Sequence, residues 1–378
     1  MRIGIDARLY GTVGKGLGRY ISELIDELEK LDQENEYVIF LRECNFGDYE
    51  PRNPRFSKAL AEYQWYGWRE QLLYPFFLRR FRLDLLHCPH FNVPLLYGRP
   101  FVVTVHDLIL LEHPSTRATT LGPLKYFVKF LGYRLLMGIA LRAASAVLTV
   151  SEFSKRDLER HFPFLKHKKV TVTYEAAARR LATVEAGQSD RADDRAKSLP
   201  TPYALYVGNA YPHKNLGMLV EAFAAFRAGD RQDYRLVMVG GDDYFYRQVK
   251  AAADGEHVTF FGRASDDELR TLYARASMYV FPSLYEGFGL PPLEAMQHAV
   301  PVISSNSSCL PEVLGDAAHY FDPRDPGDLI RAMRDVSRDE TLRRRLIARG
   351  LERVKRYSWT DCAKKTLAVY RSAVTPKT

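Results

Sequence analysis

One rhythm runs through this chain twice. In residues 2–174 the short apolar runs RIGI (2–5), YVIF (37–40), DLLHCP (84–89), FVVTVHD (101–107), AVLTVSE (146–152) and KVTVTY (169–174) alternate with longer helix-period segments such as LGRYISELIDELEKL (17–31). The rhythm restarts in YALYVG (203–208), YRLVMVGG (234–241), HVTFFG (257–262), ASMYVFPS (276–283) and VPVISS (300–305). Parallel strands can be joined only by long crossovers, so strand–helix alternation predicts an α/β fold of parallel sheets covered by helices on both faces. Two rounds of it predict two doubly wound, Rossmann-like domains facing across a cleft, and 378 residues is the length two ordinary domains need. Between the rounds, EAGQSDRADDRAKSLP (185–200) is polar, charged and nearly free of large apolar side chains. The predicted organisation is a first domain over 1–178, a linker over 179–202, a second domain over 203–355 and a C-terminal helix over 356–378 that packs back on the first. Ser358 or Thr360 is the expected cap of that helix.

Composition narrows the function classes. A formal charge of +8 and a pI near 9.1 favour anionic partners: nucleic acid, phosphorylated small molecules or an acidic lipid surface. Nucleic acid is the poorest of these, because the basic residues are dispersed and no recognised binding module is present. Cys44, Cys88, Cys309 and Cys362 lie far apart with no CxxC pair, which suggests neither a zinc site nor a disulfide framework and fits a reducing cytoplasm. The opening MRIGIDARLYG does not read as a secretory signal, and no apolar run of about 18 residues suggests a membrane span. Any membrane contact is expected to be peripheral.

In open α/β sheets ligands bind beyond the carboxyl ends of strands, where loops turn into helices. SLYEGFGLPPLEAM (283–296) is such a place. Its glycines let backbone amides approach a ligand, and Pro291 and Pro292 suit a first helical turn. That helix start offers partial positive charge to a phosphate, Glu294 can accept two hydrogen bonds from a vicinal diol, and Glu286 precedes the turn. The plainer reading is a tight turn followed by a helix with acids near its start. In VGNAYPHKNLGMLVEAF (207–223) a second strand ends in glycine, loops and enters a helix with Lys214 at its start, where a cation can neutralise a diphosphate or simply be solvated. GTVGKGLGRY (11–20) is a glycine-rich loop opening a helix but lacks full G-x-G-x-x-G spacing. TVHDL puts His106 and Asp107 at the end of a central strand.

The region from Pro282 to Leu329 resembles the donor-binding region of the retaining GT-B glycosyltransferases of family four, which use nucleotide-activated sugars. Glu286, the Gly287-Phe288-Gly289 turn, Glu294, Pro301, Val302 and the Pro311-Glu312 step recur in the family's order. The resemblance extends more weakly over nearly the whole chain, through GIDAR, the glycine-rich loop, DLLHCP, TVHDL and AVLTVSEFSK. It implies that Glu294 holds ribose hydroxyls, that Glu286 sits beside the donor sugar, and that the amides of Phe288, Gly289 and Leu290 meet the diphosphate. It further implies that Lys214 neutralises the leaving diphosphate, His106 contacts the donor sugar, Gly16 and its neighbours let the first domain close over the phosphates, and Arg263 lies along the base. Asn209 departs from the family, since many relatives carry arginine there.

The resemblance implies transfer of a hexose, with GDP-mannose the preferred donor, to a hydroxyl with the anomeric configuration kept. No metal is expected: the two aspartates of GGDDY (240–244) read as loop and cap residues. YQWYGWREQLLYPFFLRRFRLDLL (63–86) and LKYFVKFLGYRLLMGIALRAAS (124–145) mix basic and aromatic residues at helical spacing, which suits either packing on the sheet or contact with an anionic bilayer. Bilayer contact implies a lipid-linked saccharide acceptor at the inner face of the cytoplasmic membrane, as in lipopolysaccharide synthesis. Two other classes compete: a GT-B-like sugar epimerase, which needs acid/base groups around the sugar and no acceptor, and a non-catalytic nucleotide-sugar-binding subunit.

Overall fold

The computed structural model describes residues 1–378 except 12–14, 66, 114–122, 183–193, 230, 254 and 375–378. The chain divides into two compact units. The first holds Met1–Leu111, Gly122–Glu175 and Ser358–Thr378; the second holds Ala176–Tyr357, with Glu112 and His113 grouped with it. The division falls at Glu175, ahead of the polar stretch expected to be the linker over 179–202. Arg195, on the short helix Asp194–Lys197, pairs its guanidinium with Glu268 at 3.0 Å and lies 3.9 Å from the Phe261 ring centroid. An ion pair and a cation–π contact tie this polar segment to the second unit, although its composition reads as linker.

In the first unit β1 (Arg2–Asp6), β2 (Glu36–Leu41), β3 (Phe56–Leu60), β4 (Leu85–Cys88), β5 (Phe101–Val105), β6 (Ala146–Thr149) and β7 (Val170–Val172) form a parallel sheet in the order β3-β2-β1-β4-β5-β6-β7. β4 and β5 are buried at every residue, as expected for strands covered on both faces. The helix Trp359–Val374 belongs to this unit. Trp359 is buried, Thr360 donates to Glu27 at 2.6 Å, and the Tyr370 hydroxyl meets His87 Nδ1 at 2.6 Å inside the core.

In the second unit β8 (Tyr203–Val207), β9 (Arg235–Val239), β10 (Val258–Gly262), β11 (Met278–Phe281), β12 (Val302–Ser305) and β13 (Ala318–Phe321) pair in parallel as β10-β9-β8-β11-β12-β13. In both sheets the winding reverses once: between β1 and β4 in the first, and between β8 and β11 in the second. At such a reversal the flanking loops leave to opposite faces and open a crevice at the carboxyl edge. Each unit therefore carries one built-in ligand position.

All four cysteines are free, and Cys88, Cys309 and Cys362 are buried. Among the described residues no helix is long and apolar enough to cross a membrane. Of the helix Pro123–Ala143, Met137, Ala140 and Leu141 are buried, whereas Leu131, Leu135, Leu136 and Ile139 are exposed. Trp68 and Phe76, in the earlier aromatic stretch, are 68% and 62% exposed. Packing on the sheet therefore uses only part of each apolar set.

Candidate active site

The loops after β8 and β11 flank the reversal in the second sheet, and they are joined. The His213 carbonyl accepts the Leu284 amide at 2.8 Å, and Lys214 Nζ donates to Glu286 Oε1 at 2.5 Å. These side chains are only 13% and 10% exposed, a setting in which an unpaired charge would be costly. Two residues singled out in the sequence on separate loops thus meet. Asn215 turns the chain in the left-handed region (φ 59°), and its amide donates to the Pro323 carbonyl at 2.8 Å, bracing the lysine turn. Burial, and then the Lys214 charge, hold the His213 imidazole down to about 3, so it is neutral beside the lysine at neutral pH.

Beyond Glu286 the chain turns at Gly289 (φ 93°) into the helix Leu290–Gln297. A Cβ at Gly289 would fall 2.9 Å from Leu310 Cδ2, so both the dihedral and the space call for glycine. Pro291 and Pro292 fill the first turn, where a missing N–H costs nothing. Phe288 is buried with its ring edge-on to Tyr357 at 5.4 Å. Glu294 is 1% exposed, and the Tyr273 hydroxyl donates to its Oε2 at 3.1 Å. The neighbouring Tyr279 phenol is pushed well above its ordinary pKa by burial first and then by Glu294, and stays protonated. The Glu286 amide donates to Ser308 Oγ at 3.0 Å, which holds the turn from the β12 side. Tyr273 and Ser308 were not singled out from sequence, because each reaches the site from a different element.

The other expected residues of this unit have partners of their own. Asn209 uses its side-chain oxygen to accept the Tyr211 amide at 3.3 Å, and its carbonyl takes the Tyr206 hydroxyl at 2.7 Å. Arg263 is exposed at the end of β10, beside Gly241. Asp243 caps the helix Tyr244–Ala252 by accepting from Phe245 and Tyr246, and Asp242 pairs with Lys250 at 3.0 Å.

In the first unit His106 follows β5 and uses both ring nitrogens internally. Nε2 faces the Pro89 carbonyl and Nδ1 faces Glu175 Oε1, each at 3.0 Å. Burial lowers the tendency to charge, but the Glu175 hydrogen bond and charge outweigh it, and the imidazole pKa rises above its ordinary value. Tyr20 lies edge-on to this ring at 4.6 Å. In the glycine-rich loop Gly16 faces open space, whereas a Cβ at Gly18 would lie 2.0 Å from the Gly11 carbonyl oxygen and 2.5 Å from that of Leu9. Gly18, rather than Gly16, is the position where only glycine fits.

Comparison with known proteins places the fold. Residues 189–353 match the model of glycosyl transferases group 1, and residues 14–176 match that of Glycosyltransferase Family 4. The O-antigen chain mannosyltransferase B of Escherichia coli is 31% identical, over 94% of this chain and 96% of that protein. The chain belongs to the family-four glycosyltransferases. The O-antigen chain mannosyltransferase RfbU of Salmonella typhimurium is 28% identical over 75% of this chain and 73% of its own length. Among solved structures, the sucrose-phosphate synthase of Thermosynechococcus elongatus superposes with a TM-score of 0.77 at 20% identity, covering 98% of both chains. The fold is therefore GT-B, with Lys214, Glu286 and Glu294 of this glycosyltransferase gathered at the β8/β11 reversal.

Proposed function

We propose that this glycosyltransferase moves mannose from GDP-mannose, with retention, to a hydroxyl of a lipid-linked saccharide in cell-envelope glycan synthesis. The observation that carries the reading is the Lys214–Glu286 pair, seated at the sheet reversal beside the amino end of the helix Leu290–Gln297. Two relatives are named as O-antigen chain mannosyltransferases, which supports mannose as the sugar and an envelope glycan as the product. Glu294 accepts the ribose hydroxyls, the amides of Phe288, Gly289 and Leu290 meet the diphosphate, and Arg263 borders the base. Lys214 has three N–H donors and can turn from Glu286 to a diphosphate as charge grows there. That exchange leaves Glu286 facing the sugar.

The bond from C1 to the diphosphate oxygen breaks as the acceptor oxygen bonds C1 from the same face. GDP leaves with the electron pair and takes the acceptor's proton on a phosphate oxygen. No metal is needed in this scheme, because the lysine and the helix amides supply the positive field. His106, the donor-sugar contact that the family resemblance implies, keeps both ring nitrogens on Glu175 and the Pro89 carbonyl. Its raised pKa supports a charged imidazolium that positions and does not act as a base. Asn209 adds no charge, so the phosphate field rests on Lys214 and the backbone.

The exposed Trp68 and Phe76 stand near the exposed Arg69, Arg79 and Arg80 in sequence, and Leu131, Leu135, Leu136 and Ile139 flank Arg134. Apolar residues set among cations suit peripheral contact with an anionic bilayer, where a lipid-linked acceptor is found. Incubation with GDP-mannose, UDP-glucose and ADP-glucose and a mannosyl acceptor, with the product anomer read by NMR, tests the assignment. The expected product is an α-mannoside from GDP-mannose alone; a β product, or transfer only from another donor, overturns it.

A further inference from the structure

Among the described residues, two of the non-glycine positions with left-handed backbone lie on the loops that build the ion pair: Asn215 (φ 59°), next to Lys214, and Ser308 (φ 55°), whose hydroxyl oxygen accepts the Glu286 amide. Asparagine takes up this conformation readily and serine much less so, and a strained residue persists where its surroundings require it. We propose that Ser308 is a positioning residue for sugar transfer: by holding the Glu286 amide it sets where the Glu286 carboxylate stands relative to Lys214 and to the donor sugar. The proposal rests on the transferase reading above.

The segment from Ser283 to Glu286 is fastened at its backbone from two sides. From the β8 side the His213 carbonyl accepts the Leu284 amide at 2.8 Å. From the β12 side the Ser305 hydroxyl donates to the Ser283 carbonyl at 2.6 Å, and Ser308 Oγ accepts the Glu286 amide at 3.0 Å. The first two contacts fix the approach to the acid, whereas the Ser308 contact holds the acid's own backbone. Ser308 is itself anchored, because Ser305 before it and Cys309 and Leu310 after it are fully buried. The Glu286 carboxylate accepts from Lys214 Nζ at 2.5 Å in a setting with little solvent, so a backbone rotation at Glu286 would pull the carboxylate off the lysine with little water to take its place. A serine that served only to shape the turn would be better replaced by glycine, which adopts positive φ without a Cβ penalty.

Ser308→Gly and Ser308→Ala, assayed for mannosyl transfer from GDP-mannose, titrated with GDP and melted, separate the two roles. Both variants are expected to lower kcat roughly tenfold, the worth of about one hydrogen bond. The KM for GDP-mannose and the Kd for GDP should stay within about twofold of wild type, since neither reports on where Glu286 stands in the transition state. Ser308→Gly is expected to melt above Ser308→Ala, because both lose the same contact and glycine alone relieves the backbone. A crystal structure of Ser308→Gly should show Lys214 Nζ and Glu286 Oε1 beyond hydrogen-bond distance. Wild-type kcat in Ser308→Gly, or an unchanged Lys214–Glu286 contact, overturns the proposal. Should the wild-type protein transfer no sugar, the functional reading fails instead, and the crystal structure still decides whether Ser308 sets Glu286.

Discussion

The two sheet reversals of this molecule are built from the same topology and opposite electrostatics. At β8/β11 a lysine and a glutamate, both largely buried, hold each other through one short contact beside a helix start that offers bare amides. At β1/β4 Arg8 is locked between the carboxylates of Asp6 and Glu70 and a carbonyl, against the face of Tyr74 at 4.4 Å. A single monodentate pair can exchange partners as a charged ligand arrives and leaves. A bidentate, fully buried cluster is scaffold and does not offer its charge.

That contrast can be broken most forcefully at Arg8. Arg8→Ala leaves Asp6 and Glu70 buried without their cation, and should cost roughly 3–5 kcal/mol of stability by denaturant unfolding. A variant with wild-type stability would mean the cluster is not scaffold. Lys214→Ala should do the reverse. It is expected to lower kcat about 100- to 1,000-fold by removing the cation aimed at the leaving group, while shifting the unfolding midpoint less than Arg8→Ala does. Near wild-type turnover would remove Lys214 from the chemistry.

A smaller effect separates the two glycines of the first loop. Gly18→Ala has no room for its methyl against two carbonyl oxygens and should destabilise by about 1–3 kcal/mol, whereas Gly16→Ala, in open space at a helix start, should be neutral or stabilise by up to about 1 kcal/mol. Equal melting temperatures for the two variants would contradict the geometry. The smallest expected effect is a pH dependence from His106. Its folded pKa is raised, so its stabilisation is fully present below the unfolded value near 6.5 and is lost as pH rises through the folded value. Glu175→Gln should therefore narrow the stability difference between about pH 6 and pH 9; an unchanged profile would show that the pair does not set it.

How much of this was legible in the sequence depends on how local each feature is. Apolar runs at strand length and glycines at strand ends are local, so every strand but the edge strands β3 and β13, and the turn at Gly289, could be read directly, and Lys214, Glu286 and Glu294 could be picked out as candidates. What holds those residues is not local. Tyr273 reaches Glu294 from another helix, Ser308 reaches Glu286 from beyond β12, and Glu175 reaches His106 across most of a domain. No spacing rule connects such positions. The same limit explains the glycine-rich loop, where Gly16 and Gly18 look alike until the Gly11 and Leu9 carbonyls are in place. It also explains the segment around Arg195, whose charge reads as solvent-facing until Glu268 and Phe261 are beside it.

On the proposed function, the β8/β11 crevice holds a nucleoside diphosphate through Glu294 and the turn amides. Calorimetric titration of GDP into the wild-type protein and into Glu294→Ala, with both melts compared, tests it directly. The expected result is micromolar-range binding by the wild type, weakened by roughly 10- to 100-fold in the variant as one charge-assisted contact is lost. Equal GDP affinity in a well-folded Glu294→Ala protein would contradict it.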